Sequence, residues 1–321
     1  MLLSVKDLSI SFLGDNGPVA AINQLSFYLE QGECLGIVGE SGCGKSMTNL
    51  ALMGLLPRNT TYRAKEMLFD GVDLKHLKSK EWRALRGNRI AMIFQDPIHS
   101  LNPLMTVQSQ LLEAILRADP TLSRKAAYKV GIELLEQVGL SSPELRMKYY
   151  PHELSGGMAQ RVMIAMMLAF KPSLLIADEP TTALDVTTQA QILSLLDELR
   201  REYNMSMLLV SHDIELIRGH TDRIAVMYSG EIVESGITKP VLSAPKHPYT
   251  QGLLAALPNH VAHQRKQPLT TIPGTVLPMS EKTQACRFSP RCPNAMPECQ
   301  NAPVLQQRPE TGNLHTLRCY L

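Results

Sequence analysis

The densest chemistry in the chain lies in GESGCGKS, Gly39 to Ser46, where three glycines, a lysine and a serine follow the spacing GxxxxGK closed by Ser or Thr. Gly39, Gly42 and Gly44 leave the backbone free to wrap an anion, so that N–H groups along Ser41, Gly42, Cys43 and Gly44 turn inward. Lys45 is then placed to pair with the β- and γ-phosphates of a nucleotide, and the Ser46 hydroxyl to ligate Mg²⁺. A second group ends the apolar run SLLIADE, Ser173 to Glu179. Asp178 can enter a Mg²⁺ shell and Glu179 can polarise an attacking water, because phosphoryl transfer asks the protein mainly for positioning and charge. A third group is four thiols, Cys286, Cys292, Cys299 and Cys319, spaced C-x5-C-x6-C-x19-C.

These groups need elements to hold them. LGIV before the glycine-rich loop reads as a strand and MTNLALMGL after it as a helix, which aims a positive dipole end at the loop. SLLIADE, TTQAQILSLLDELRREY and MSMLLVSHD read as strand, helix and strand, the order of an α/β fold with parallel strands. Between about residues 98 and 166 the periodicity is helical, as in SQLLEAILRA and AAYKVGIELLEQVGL, which predicts an inserted helical subdomain. From Pro258 to Pro309 the texture changes, with nine of the chain's 21 prolines. The expected organisation is a nucleotide-binding domain over 1–250 and a loop-rich, separately built extension over 251–321. The cradle ends at Ser46, far ahead of Cys286, so changes in the tail are expected to leave nucleotide binding intact.

Composition sets the outer bounds. At 321 residues with 44% hydrophobic and 19% charged residues, the chain is a folded protein rather than a disordered, collagenous or coiled-coil one. Lys+Arg 32 against Asp+Glu 30 gives +2, which argues against a broad nucleic-acid footprint. The longest unbroken apolar run, Val162 to Phe170, falls short of the ~20 residues that cross a bilayer. Lys6 and Asp7 interrupt the start of the chain, so no signal peptide is expected and the compartment is read as cytoplasmic. Thiols stay reduced there, which makes metal binding or chemistry the reading for clustered cysteines. Cys34 falls within a core strand and reads as a small hydrophobe.

LSGGMAQR, Leu154 to Arg161, resembles the signature of ATP-binding cassette (ABC) proteins, and other parts follow in that family's order. Gln95 in FQDP resembles the Q-loop, Asp185 in TTALD the D-loop, His212 in VSHD the switch histidine, and Phe12 in SISF the aromatic that stacks on adenine. The resemblance covers residues 1 to about 250 and implies a P-loop NTPase core of the ABC ATPase kind, using ATP and Mg²⁺. Ser155 can cap the helix that opens at Gly156 or Gly157, so its hydroxyl and the first free N–H groups form an anion site. The resemblance assigns that site to the γ-phosphate of a nucleotide held by an opposite subunit, which gives one chain two half-sites. It also implies that Glu179, His212 and Gln95 are the catalytic set and that Ser46, Gln95 and Asp178 face Mg²⁺.

HPYTQGLLAALP (His247 to Pro258), Pro273-Gly274 and CRFSPRCPNAMPEC (Cys286 to Cys299) resemble the C-terminal extension of ATPases from the dipeptide and oligopeptide importer group. That resemblance implies an ATP-hydrolysing subunit of a bacterial peptide importer, peripheral on the cytoplasmic face of the inner membrane. The implied partners are a second ABC ATPase subunit, most readily a paralogue, two transmembrane permease subunits and an extracytoplasmic peptide-binding protein, with no nucleic acid. Nickel and antimicrobial-peptide uptake share the group, and a soluble ABC ATPase acting on ribosomes or DNA is the reading from another class. Some members carry a [4Fe–4S] cluster at the position of the four thiols, where it would staple a segment poor in large apolar residues. No CxxC pair occurs, which disfavours a zinc ribbon, but zinc and free structural thiols stay open.

Overall fold

Alternating apolar and polar residues start the chain as strands. In the computed structural model, which describes residues 1–14, 17–182, 184–257, 271–277, 284–307 and 315–321, β1 (Leu3–Gly14) and β2 (Gly17–Leu29) pair antiparallel, with Leu8, Ile10, Ile22, Leu25 and Leu29 buried. β3 (Cys34–Val38) is buried along its whole length, and α1 (Lys45–Leu52) follows the glycine-rich loop. β4 (Thr60–Arg63) and β5 (Glu66–Phe69) also pair antiparallel with β1, and β6 (Val72–Asp73) pairs with β5. The resulting sheet, β2-β1-β5-β6 with β4 against β1, is an antiparallel layer that the parallel α/β reading did not foresee. Short connections such as the one ahead of Gly17 permit hairpins, whereas parallel neighbours need a crossover.

The chain divides into two units, Met1–His76 with Val210–Leu321, and Leu77–Leu209. The second unit begins with α2 (Ser79–Leu85) and β7 (Ile90–Ile93). Helices then follow one another: α3 (Pro97–Ser100), α4 (Val107–Ala118), α5 (Arg124–Gln137), α6 (Pro143–Arg146) and α7 (Gly156–Leu168). α4 and α5 start on side-chain caps, Thr106 accepting the Ser109 N–H at 3.2 Å and Ser123 the Ala126 N–H at 3.2 Å. Leu111, Ile115, Leu135 and Val162 bury their apolar faces, and Gly131 lets α5 come close, since a Cβ there would stand 2.6 Å from Met147 Cε. β8 (Leu174–Asp178) runs parallel to β7 with Ile90 opposite Leu174; α8 (Val186–Glu202) and β9 (Ser206–Ser211) complete the βαβ pattern.

Past β9 the chain supplies the rest of the first unit: α9 (Ile214–His220), β10 (Arg223–Tyr228), β11 (Glu231–Ile237), α10 (Thr238–Ser243) and α11 (Pro248–Ala255). β10 lies parallel to β3, and β11 turns back antiparallel on β10. The expected separately built extension instead joins this sheet. Two short strands, β12 (Gln306–Gln307) and β13 (Thr316–Leu317), continue it in the order β12-β13-β11-β10-β3, with Leu317 opposite Glu234. The edge of β11 offers unpaired N–H and C=O groups, and β13 satisfies them. Phe288 of the cysteine-rich segment is buried in edge-on and tilted contacts with Tyr228 and Tyr249. Among the described residues no helix is long and apolar enough to cross a membrane.

Candidate nucleotide-binding site

The loop between β3 and α1 is shaped by what its glycines exclude. A Cβ on Gly39 would stand 2.1 Å from the Met227 carbonyl oxygen, and one on Gly44 2.5 Å from Ile22 Cδ1. Gly42 and Gly44 adopt φ 78° and 107°, a region that side chains disfavour, and Gly44 is the N-cap of α1. Ser41 and Gly42 are exposed, as is Ser46 in the first turn of α1. Lys45 is buried, its Nζ donating to the Gly39 carbonyl at 2.8 Å and the Glu40 carbonyl at 3.1 Å. Cys43 is buried 3.9 Å from that Nζ, and burial pushes its thiol up. A glycine-lined concavity holding an ammonium beneath an open helix N-terminus fits phosphate groups, and the Ser46 hydroxyl is a hard oxygen donor suited to Mg²⁺.

Two further expected residues belong to the same unit. Phe12, half-buried in β1, stands opposite Val19 of β2 and Thr60 of β4. His212 is exposed just after β9, beside a local turn in which Ser211 Oγ accepts the Asp213 N–H at 2.9 Å.

The second unit gathers the acids and the signature. Asp178 ends β8 and is buried. Glu179 follows with φ 47°, a left-handed conformation that costs a non-glycine residue roughly 1 kcal/mol or more and concentrates at functional sites. Gln95 Nε2 donates to Glu179 Oε2 at 3.1 Å, and Thr182 Oγ1 donates to the same oxygen at 2.9 Å. Ser155 is the N-cap of α7, its Oγ accepting the Met158 N–H at 3.3 Å, with Gly156 and Gly157 in the first turn. A Cβ on Gly157 would stand 2.8 Å from Thr188 Cγ2, so the glycine admits the start of α8. Asp185 caps α8, accepting from the Thr188 N–H at 3.0 Å and Oγ1 at 2.7 Å; those bonds hold its carboxyl below the usual range.

The four tail cysteines share a neighbourhood. Cys286 N–H donates to the Cys299 carbonyl at 2.8 Å. Burial pushes the Cys286 thiol up to about 11, with the charges of Cys299 and Cys319 adding, and Cys292 is raised by burial first and then by Cys319 and Cys299. All six cysteines are free thiols, and among the described residues no three His, Cys, Asp or Glu side chains converge to hold a metal ion. Four thiols are donors of the kind an iron–sulfur cluster takes.

Three residues with evident work at the loop escape the motif reading. Glu40 occupies an open position of GxxxxGK, yet its carboxylate pairs with Arg291 and its N–H donates to Tyr249 Oη at 2.9 Å. The HPY string that contains Tyr249 was the available signal, but its partner lies 209 residues away along the chain.

The ABC transporter family pattern matches residues 22–182, and that of the oligopeptide/dipeptide transporter C-terminal region matches residues 233–299. The chain is 47% identical over 299 residues to the dipeptide transport ATP-binding protein DppD of Escherichia coli strain K12, covering 93% of this chain and 90% of that one. It is 47% identical over 306 residues to the oligopeptide transport ATP-binding protein OppD of the same strain, covering 95% and 90%. Against DppD of Bacillus subtilis strain 168 the identity is 46% over 324 residues, covering 100% and 94%. Among solved structures, the dimeric post-hydrolysis state of the ATP-binding cassette MJ0796 bound to ADP and Pi superposes with a TM-score of 0.66 at 27% identity, covering 74% of this chain and 99% of that one. The cradle around Lys45 and the acid-ended strand at Asp178 lie within the matched span, and the chain belongs to the ABC transporter family.

Proposed function

We propose that this chain is the ATP-hydrolysing subunit that powers an importer of di- or oligopeptides across the bacterial inner membrane. One coincidence carries the reading: a phosphate cradle around Lys45 occurs in the same chain as a region, 233–299, matching the oligopeptide/dipeptide transporter C-terminal region. Relatives bearing the names dipeptide and oligopeptide transport ATP-binding protein support the substrate class.

In this reading Lys45 and the loop N–H groups of Ser41, Gly42, Cys43 and Gly44 bind the β- and γ-phosphates, and Phe12 stacks on adenine. Ser46, Asp178 and Gln95 hold Mg²⁺, which when bound neutralises charge on the phosphate oxygens. Glu179 polarises the attacking water, and His212 contacts the γ-phosphate. Ser155, Gly156 and Gly157 bind the γ-phosphate of a nucleotide on a second ATPase subunit, with Asp185 near that junction; the dimeric state of the MJ0796 cassette supports pairing. The second ATPase is a paralogue, two permease subunits span the membrane, and an extracytoplasmic protein delivers peptide, which places this chain peripherally on the cytoplasmic face. A [4Fe–4S] staple on Cys286, Cys292, Cys299 and Cys319 is the finer part of the reading. Their shared neighbourhood supports it, and the thiols must draw together to ligate it.

The test is stimulation. Alone the chain should hydrolyse ATP slowly, and adding the second ATPase, the permeases and a peptide-loaded binding protein should raise the rate at least tenfold. Full activity from a monodisperse monomer contradicts the shared site. Stimulation by a nickel-loaded carrier or by ribosomes, and not by peptide, contradicts the substrate class.

A further inference from the structure

The phosphate loop is gripped from the far end of the chain. Glu40 offers a carboxylate, an N–H and a carbonyl, and each has a partner. Arg291 Nη1 and Nη2 donate to its two carboxylate oxygens at 2.7 and 3.0 Å, a bidentate fork. Tyr249 Oη accepts its N–H at 2.9 Å, and Lys45 Nζ donates to its carbonyl at 3.1 Å. Two of these three partners come from the region of the chain beyond β11.

Both far partners are themselves immobilised. The Arg291 side chain is 4% exposed, and its remaining donors reach the Pro273 carbonyl at 3.0 Å and the Ile272 carbonyl at 3.3 Å. Its guanidinium carbon lies 5.8 Å from the centre of the Tyr228 ring. Tyr249 is fully buried edge-on to Tyr228 at 4.7 Å, and its N–H donates to His247 Nδ1 at 3.1 Å. Arg291 ends the short turn Ser289–Arg291 between Cys286 and Cys292, and that turn is secured where the Cys286 N–H meets the Cys299 carbonyl.

A carboxylate one residue into a phosphate-binding loop is an electrostatic liability, since a nucleoside triphosphate brings several negative charges to the neighbouring N–H groups. We propose that Arg291 is a positioning residue of the nucleotide site: together with Tyr249 it neutralises and fixes Glu40, so the loop accepts an anionic triphosphate only while the C-terminal extension is folded against it. The inference rests on the ATP reading of the loop, but it assigns to the extension a role in nucleotide affinity that the loop motif does not contain.

The test uses the purified full-length chain and the Kd for MgATP, with wild type measured first; failure of wild type to bind would sink the ATP reading itself, separately from the clamp. Arg291→Met keeps the apolar stem and strands the carboxylate, and should raise the Kd about tenfold. Tyr249→Phe removes only the hydroxyl acceptor and should raise it about threefold. Glu40→Gln combined with Arg291→Met removes both charges and should recover most of the lost affinity, a rescue that a merely structural contact would not give. Glu40→Gln alone, at a partly exposed side chain, serves if Arg291→Met does not fold: it leaves the Arg291 cation unpaired beside the loop, and should lower the Kd at low salt and make it rise more steeply with added salt than in wild type. An Arg291→Met chain that binds MgATP within twofold of wild type, a double variant no better than Arg291→Met, or a Glu40→Gln chain whose salt dependence matches wild type would each overturn the proposal.

Discussion

Gln95 reaches Glu179 across 84 residues of sequence and donates its side-chain amide to the carboxylate at 3.1 Å. The residue read as activating water is thereby tied to one read as facing Mg²⁺. Any movement of Gln95 would therefore release or re-aim the Glu179 carboxylate.

Glu179→Gln should keep nucleotide binding and reduce ATP turnover in the assembled transporter by about 10²-fold or more, because the amide keeps the shape but cannot polarise water. Steady-state hydrolysis and equilibrium binding measured on the same preparation check this. Turnover within a few-fold of wild type would remove Glu179 from the catalytic set.

Gly39→Ala should destabilise the chain by about 1–3 kcal/mol and weaken nucleotide binding, since overpacking forces the backbone apart. The reason is local: the new Cβ would lie 2.1 Å from the Met227 carbonyl oxygen and 2.9 Å from Cys43 Sγ. Urea unfolding midpoints at fixed pH give the loss. An unchanged midpoint would mean that the loop has room the structure denies it.

Where the determinants are local, the sequence was enough. CLGIV, the glycine-rich loop and the following helix are contiguous, and so are SLLIAD and the helix after Asp185; the structure has them as β3, α1, β8 and α8. The helices over 107–137 likewise follow from a 3.6-residue period. The antiparallel layer was less visible. β1 and β2 change register between Val5 and Leu8, Leu8 and Ile10, and Ile10 and Ser11, which blurs the two-residue alternation that marks a strand. The grip of Arg291 on Glu40 could not be read at all, because an ion pair between residues 251 apart leaves no periodicity or spacing. The expectation that tail changes spare nucleotide binding rested on distance along the chain, and that contact removes its basis.

His247 gives a pH dependence with a definite sign. Burial holds its ring neutral, lowering the pKa from 6.5 to about 4, while Nδ1 accepts the Tyr249 N–H. The unfolded chain takes up a proton below pH 6.5 that the folded chain refuses until about pH 4. Stability from this group is therefore complete above pH 6.5 and declines as pH falls toward 4, by about 3 kcal/mol in all. Denaturation midpoints across that range, compared with His247→Asn, isolate the contribution. An equal slope in both proteins would assign the acid sensitivity elsewhere.

The tail should declare its metal on preparation. If the four thiols take a [4Fe–4S] cluster, protein made without oxygen should be brown and contain about four irons per chain. Cys286→Ser should bleach it and, through the turn carrying Arg291, raise the Kd for MgATP as well. Colourless protein with one zinc, or with all four thiols open to alkylation after unfolding and no metal, would refute the cluster.

The most direct measurement of the central claim is uptake of a labelled dipeptide into proteoliposomes holding this chain with its permeases and second ATPase, with binding protein outside and ATP enclosed. Accumulation should require ATP and fall to background with Lys45→Ala, whose ammonium otherwise sits against the Gly39 and Glu40 carbonyls. Accumulation that persists with Lys45→Ala in this chain, or ATP-driven uptake of nickel and not of peptide, would contradict the account.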